Sequence, residues 1–302
     1  MTSTTHKPIA RAGGLERRTN RKGWLFVLPA VALIALVCFY PMVEALLLSL
    51  QSGKGNNLKW AGFNNYLRMF KDKTFIAALK NTLFYLVAQV PIMLVTALLL
   101  ASLLNDKTLK CKGLFRTLIF LPCATSLVTA SVIFTQIFST NGFVNTMLLR
   151  LGWIAEPLPF YTDGAWARWT IVIVMLWRWT GYNMIFYLAG LQNIDSQIYE
   201  AARIDGANAV QQFSHITVPL LRPIILLTTI LSTNGTLQLF DEVKVITDSG
   251  PGLTATVTLS TYIYRMTFQN VPQFGYSAAM AYVIFIIVAI LAFVQMKVGE
   301  SK

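Results

Sequence analysis

Side chains able to do covalent chemistry are scarce in this sequence, and they are not grouped. Its two histidines are His6 and His215, and its three cysteines are Cys38, Cys111 and Cys123. No Cys-x-x-Cys or His-Glu-x-x-His spacing occurs, so no metal centre is indicated. No Gly-x4-Gly-Lys-Ser/Thr loop occurs either, so the chain has no phosphate cradle of its own. Nucleophile, base and orienting group never come together in a recognisable pattern. Three polar stretches do stand out against an apolar background. One runs from Trp177 to Asn183 and carries Arg178, Thr180 and Tyr182. A second holds Ser232, Thr233, Asn234, Gly235, Thr236, Gln238 and Asp241. Between them lies EAARIDGANAVQQFSHITVPLLRP, residues 200–223. Polar groups inside apolar spans are costly and often face a cavity. Helical spacing sets Trp177, Thr180, Gly181 and Met184 on one face, and Ser232, Gly235, Thr236 and Leu239 on another. The plainer alternative is that small and hydroxyl residues pack membrane helices together. Asn234 and Gln238 rank behind these eight, and Arg178 with Asp241, Glu242 and Lys244 reads as structural ion pairs or as a gate.

The elements that position these stretches follow from composition. Hydrophobic residues make up 55% of the chain and charged ones only 13%, about half the share usual in a soluble domain. Six apolar runs reach the ~20 residues that a bilayer crossing needs. They are Trp24 to Ser49, Ala78 to Leu103, Leu114 to Phe138, Trp166 to Leu191, Ile224 to Ile246 and Gly275 to Val298. The first is too long for a signal-peptide core and lacks a small-residue cleavage site, so it reads as a retained helix. Glu44 inside it calls for a partner or a watery neighbour. The expected architecture is an all-α membrane protein of six transmembrane helices. It divides into a basic tail (1–23), a first helix with its outer loop (24–77), a core of five helices (78–298) and a short tail (299–302).

The net charge of +12 does not suggest nucleic acid, because the bases cluster at the ends of apolar runs, as orientation signals do. Lys7, Arg11, Arg17, Arg18, Arg21, Lys22, Lys107, Lys110, Lys112, Arg116, Arg203 and Arg222 favour both termini in the cytoplasm. The rule is only partly obeyed, since the outer segment from Gln51 to Ala77 is basic too. This orientation puts residues 194–223 in the cytoplasm. Asp195 or Ser196 is a plausible N-cap there, with Glu200 near the first turn, where its charge suits the helix dipole. Gly206 permits a bend, and Pro219 and Pro223 bracket the return to the membrane. A short helix, a bend and a second short helix are expected. The exposed ridge of Ile198, Ala202 and Ile204 fits either a protein groove or a lipid surface.

At this stretch the sequence resembles the permease subunits of binding-protein-dependent ABC importers. The family pattern is Glu-Ala-Ala, three residues, Gly, nine residues, Ile, one residue, Leu-Pro. This chain has Glu200-Ala201-Ala202, Gly206 and Ile216-Thr217-Val218-Pro219, with Val218 in place of Leu. Further likeness to the maltose, lactose and glycerol-phosphate first-subunit type lies in Gly62-Phe63-Asn64-Asn65-Tyr66, Phe120-Leu121-Pro122, Leu239-Phe240-Asp241 and Ser249-Gly250-Pro251. The resemblance implies the type I importer permease fold and a coupling helix that docks on an ATPase through Glu200, Ala201, Ala202, Asp205, Gly206, Ile216 and Pro219. It also implies that the two polar faces line a path for a sugar. The chain would bind no cofactor, ATP and Mg being held by the ATPase. Its implied partners are a cytoplasmic ATPase dimer, a second permease subunit, an extracytoplasmic solute-binding protein, membrane lipid and the sugar itself, all at a bacterial inner membrane. Another cargo, such as glycerol phosphate or polyamine, is the nearer alternative; a stand-alone secondary transporter is the more distant one.

Overall fold

The computed structural model describes residues 12–106, 108–248 and 250–300. Residues 1–11, Lys107, Ser249 and residues 301–302 lie outside the described residues, and with them part of the basic tail and the first residue of the Ser249-Gly250-Pro251 turn.

The chain starts with α1 (Ala12–Ile34), which runs through a π turn (Ala35–Phe39) into α2 (Tyr40–Ser49). Pro41 has no N–H to give the helix ladder, and the wider turn before it absorbs the missing bond. A hairpin of β1 (Gln51–Lys54) and β2 (Asn57–Trp60) follows, paired antiparallel with Gln51 opposite Trp60. Then come α3 (Asn64–Met69), α4 (Lys73–Asn105), α5 (Lys112–Ala124), α6 (Leu127–Ile137), α7 (Phe143–Arg150) and α8 (Gly164–Gln192). The rest comprises α9 (Ser196–Ile204), α10 (Ala209–Gln212), α11 (Val218–Leu220), α12 (Arg222–Leu237), α13 (Asp241–Ile246), α14 (Leu259–Tyr264) and α15 (Phe274–Glu300).

Among the described residues, four helices are individually long and apolar enough to cross a membrane: Gly23–Ser49, Lys73–Asn105, Gly164–Gln192 and Phe274–Gly299. Two of the six expected spans need correction. The third is not one rod, because α5 and α6 meet at a bend of 99°. Pro122 sits in the last turn of α5, and Thr125 (ψ 151°) and Ser126 (ψ 131°) leave helical geometry. The fifth ends early, at Leu237 rather than Ile246. The run Ser232-Thr233-Asn234-Gly235 is a poor helix former. Asp241 and Glu242 then begin a new helix, where carboxylates suit the positive end. Helix α12 also meets the preceding segment, Ala209–Leu220, at 69°.

Helices α4 and α8 form the central pair. They run in the same direction: Tyr85 packs with Ile171 and Met175, while Ala97 and Ala101, further along α4, pack with Met184 and Leu188. Alanines on α4 let the backbones approach. Helices α12 and α15 complete the bundle, and α15 packs on α2. In contrast, the first span shows no burial across its most apolar window. Phe26 and Trp24 are 88% and 71% exposed. Glu44 on α2 is exposed and makes no ion pair among the described residues.

One carboxylate organises the corner where α3 ends and α4 begins. Asp72 caps α4 by accepting from the backbone N–H groups of Thr74 (2.9 Å) and Phe75 (3.2 Å). Its other oxygen accepts from Tyr262 (2.6 Å) and Tyr276 (2.7 Å). Burial pushes its pKa up, but the four hydrogen bonds outweigh that and leave it below the usual carboxylate value. Arg68 stacks over the Tyr276 ring at 4.2 Å and donates to Gln273.

Candidate functional site

The polar elbow between α8 and α12 is built by local bonds. Asp195, not Ser196, is the N-cap of α9, accepting from Gln197 N–H at 3.0 Å. Glu200 falls in the second turn rather than the first, so it owes little to the helix dipole. The helix stops in a Schellman arrangement: Gly206 N–H donates to Arg203 O and Ala207 N–H to Ala202 O. This needs a left-handed residue, and Gly206 has φ +84°. Asn208 and Gln211 then make a reciprocal capping box that starts α10. Two ties hold the second helix against the first: Tyr199 OH with Thr217 Oγ1 (2.9 Å), and Gln212 Nε2 donating to Ala207 O (2.7 Å). His215 contacts Ser214 and Gln211 O and has no place in a catalytic group.

What the elbow leaves open matters more. No residue of α9 is buried. Glu200, Ala201, Asp205, Gly206 and Pro219 are exposed, and Ala202 and Ile216 are half-buried. Glu200 has no ion-pair partner among the described residues. Ile204 and Val210 are 87% and 74% exposed, a large apolar exposure for so polar a stretch. A shallow cleft opens beside them, lined by Asp205, Gly206, Ala207, Gln211, His215 and Ile216. The seven residues singled out in the sequence therefore share one segment, most of it facing outward.

The eight residues on the polar faces divide differently. Trp177 and Gly235 are exposed and Ser232 is half-buried. Thr180, Gly181, Met184, Thr236 and Leu239 are buried within the chain. Gly181 marks where α8 crosses α5: a Cβ there would lie 2.0 Å from Ile119 O. Met184 packs against α4. Leu239 lies past the end of α12, in the cluster around Tyr85 and Val243, so it does not continue the face of Ser232. Thr236 donates to Gln89 Oε1 at 2.9 Å, Gln89 Nε2 reaches Met93 Sδ, and Ser232 Oγ reaches Asn183 Oδ1 at 3.4 Å. Gln295 on α15 donates to Thr233 Oγ1 at 2.9 Å. These groups largely satisfy one another, as buried polar atoms in a membrane must.

Arg178 donates to Thr125 O at 3.1 Å, which places it on the break between α5 and α6. Glu242 accepts from Trp179 Nε1 at 3.2 Å, and Lys244 pairs with Asp248, so Asp241, Glu242 and Lys244 do not pair with one another. Two residues that shape the bundle went unnoticed in the sequence, Gln89 and Asp72; Asn81, part of the Asn81-Thr82 stretch that resembles the family, donates to Thr254 O and Val257 O at 3.0 Å each. Gln89 had a legible signal, a lone amide inside an apolar run.

Long apolar helices and an outward-facing elbow describe a multi-span membrane protein. Residues 82–299 match the family described as binding-protein-dependent transport system inner membrane component, and the chain belongs to that family. It is similar to a lactose transport system permease protein of Rhizobium radiobacter, 52% identical over 289 residues that cover 95% of this chain and 97% of that one. An arabinooligosaccharides transport system permease protein of Halalkalibacterium halodurans is 33% identical over 274 residues, covering 90% and 86%. Among solved structures, a bacterial ABC transporter involved in the import of the acidic polysaccharide alginate contains a chain with TM-score 0.81 and 25% identity, covering 95% of this chain and 99% of that one. The fold is thus that of an ABC importer permease, and the chain is a transport component rather than an enzyme.

Proposed function

We propose that the chain is the transmembrane permease subunit of an ATP-driven importer for a disaccharide or short oligosaccharide, in a bacterial cytoplasmic membrane. Both termini face the cytoplasm; α5 with α6 counts as the third of six spans, and α12, entered from the elbow at the 69° bend, as the fifth. The carrying observation is the elbow: α9 and α10 are each capped and the segment is tied across by Tyr199–Thr217 and Gln212–Ala207, yet it presents Ile204, Val210 and Glu200 to the outside. A rigid, exposed, partly apolar joint suits docking into a protein cleft. Its occupant is a cytoplasmic ATPase dimer that holds ATP and Mg. Closure of that dimer drives the elbow, which sits between α8 and α12 and so moves both.

The solute path is completed by a second permease subunit. Trp177, Ser232 and Gly235 reach a surface that this chain leaves open, and they are the residues assigned to the sugar. The Trp177 ring, held edge-on to Phe134 at 4.9 Å, offers an apolar platform, and Ser232 offers a hydroxyl. Thr180, Gly181, Met184, Thr236 and Leu239 keep their neighbours in place. Sugar arrives on a solute-binding protein at the outer face. Lactose and arabinooligosaccharide relatives support a neutral sugar over glycerol phosphate, and Arg178 is engaged elsewhere.

The test is uptake by proteoliposomes holding both permease subunits and the ATPase, with the binding protein outside, across a sugar panel. Coupled, ATP-dependent uptake of a disaccharide or oligosaccharide is expected. Uptake by this chain without the ATPase would instead support a stand-alone transporter.

A further inference from the structure

We infer that the pocket between α4, α8 and the 254–255 loop is a seat for the phosphate of an anionic phospholipid headgroup in the outer leaflet. Its wall carries Lys80 on α4 and Arg168 on α8, with Phe84 and Trp169 beside them and the 254–255 backbone behind; no carboxylate lines it. Arg168 donates to Ala255 O at 3.2 Å and lies over the Phe84 ring at 5.7 Å, so its guanidinium is fixed at the pocket edge. Phe84 and Trp169 meet edge to face at 5.5 Å. Lys80 is exposed and makes no hydrogen bond or ion pair among the described residues.

Depth argues for a lipid. Helix α4 has 33 residues, about 50 Å of helix, against a hydrocarbon core of about 30 Å. Roughly 10 Å protrudes at each end, and Lys80 stands about 10 Å from the outer end. Helix α8, with 29 residues, protrudes by about 7 Å, and Arg168 stands about 6 Å from the outer end of the helix. The two cations come from different helices yet meet at one level, the boundary between tails and headgroups. A Trp at that level is what a membrane interface favours. Two like charges at a low-dielectric edge repel, and a phosphate between them removes that cost and gains charge-assisted hydrogen bonds.

The inference rests on the orientation proposed above, so the experiment reads the two separately. The assembled transporter is purified with wild-type Lys80 or with Lys80→Gln, which breaks no contact within the chain. Lipid retained by each is counted by native mass spectrometry after exchange into phosphatidylglycerol, phosphatidylcholine or about 20 mM inorganic phosphate, far above any lipid. The wild type is expected to keep phosphatidylglycerol with about tenfold greater affinity than the variant, the effect of one charge-assisted contact. Lys80→Arg should restore it. Equal retention by wild type and Lys80→Gln overturns the seat, as does full displacement by inorganic phosphate. Unchanged retention with weakened docking of the binding protein would assign the pocket to an acidic protein surface and overturn it too. Orientation is read independently with Lys71→Cys in a cysteine-free chain: an impermeant maleimide should label it from outside intact cells. Labelling only from the inside would overturn the outer-leaflet placement while leaving the retention result to stand.

Discussion

The elbow of α9 and α10 and the polar belt where α4, α8 and α12 meet are both rich in amides and hydroxyls, but they use them in opposite ways. In the belt, Thr236 is spent on Gln89, Thr228 on Tyr187 and Ser232 on Asn183, and little is left over. In the elbow the bonds are short-range caps that fix backbone shape, while the outward side chains remain unused. A buried polar group without a partner costs about 1–3 kcal/mol, so the belt must be closed within the protein. Water tolerates an open elbow. Polarity alone therefore does not separate a scaffold from a docking surface; where the partners lie does.

Substitutions can break that contrast or sharpen it. The largest effect is expected from Gly181→Leu, because even the first added carbon collides with the α5 backbone at Ile119. Overpacking of this kind costs about 1–3 kcal/mol or more, and yield of folded subunit in detergent should collapse. Thr236→Val strands the Gln89 carbonyl and should lower stability by about 1–3 kcal/mol; pairing it with Gln89→Leu should recover part of the loss in thermal unfolding. Full tolerance of either substitution would mean the belt is not the scaffold described.

A Cβ added at Gly206 meets nothing within 4 Å, so Gly206→Trp starts into open space and its backbone cost is the strain of φ +84°, about 1–2 kcal/mol confined to the bend. The subunit should still insert and assemble, while ATP hydrolysis continues without uptake. Asp72→Asn should lower the thermal midpoint by a few degrees at pH 7, the effect of about 1 kcal/mol. The folded pKa of Asp72 lies below its ordinary 3.8, so its contribution is present above that pH and lost as pH falls through the lower folded value. The gap between wild type and variant should close there. Smallest of all for folding is Ile204→Ser, within about 0.5 kcal/mol because the side chain is already in water; a pull-down of the ATPase should nonetheless weaken. An unaffected ATPase complex would place the elbow on lipid instead.

Much of this was legible in the sequence, and the reasons are specific. Long apolar runs located α4, α8 and α15 because hydrocarbon demands length and little else. The Glu200-Ala201-Ala202 and Gly206 spacing was readable through its resemblance to the family pattern, while the residues alone offered a bend at Gly206 and not the Schellman stop that makes it. The two breaks were not read, although Pro122 and the Ser232-Thr233-Asn234-Gly235 run were in view. An apolar run looks the same whether its helix is straight or bent by 99°. Helical spacing set Gly181 and Met184 beside Trp177, but spacing does not say which face a neighbouring helix covers. Leu239 was placed on a helix that had already ended. Asp72 escaped notice because its tyrosines lie 190 and 204 residues away.

The corner around Asp72 constrains how the molecule can rock. One side chain holds the start of α4, the top of α14 and the first turn of α15 at once, so these three ends travel as a block. Any pivot must then fall elsewhere in the bundle, and the helix axes turn most sharply after Ala124 and at Leu221.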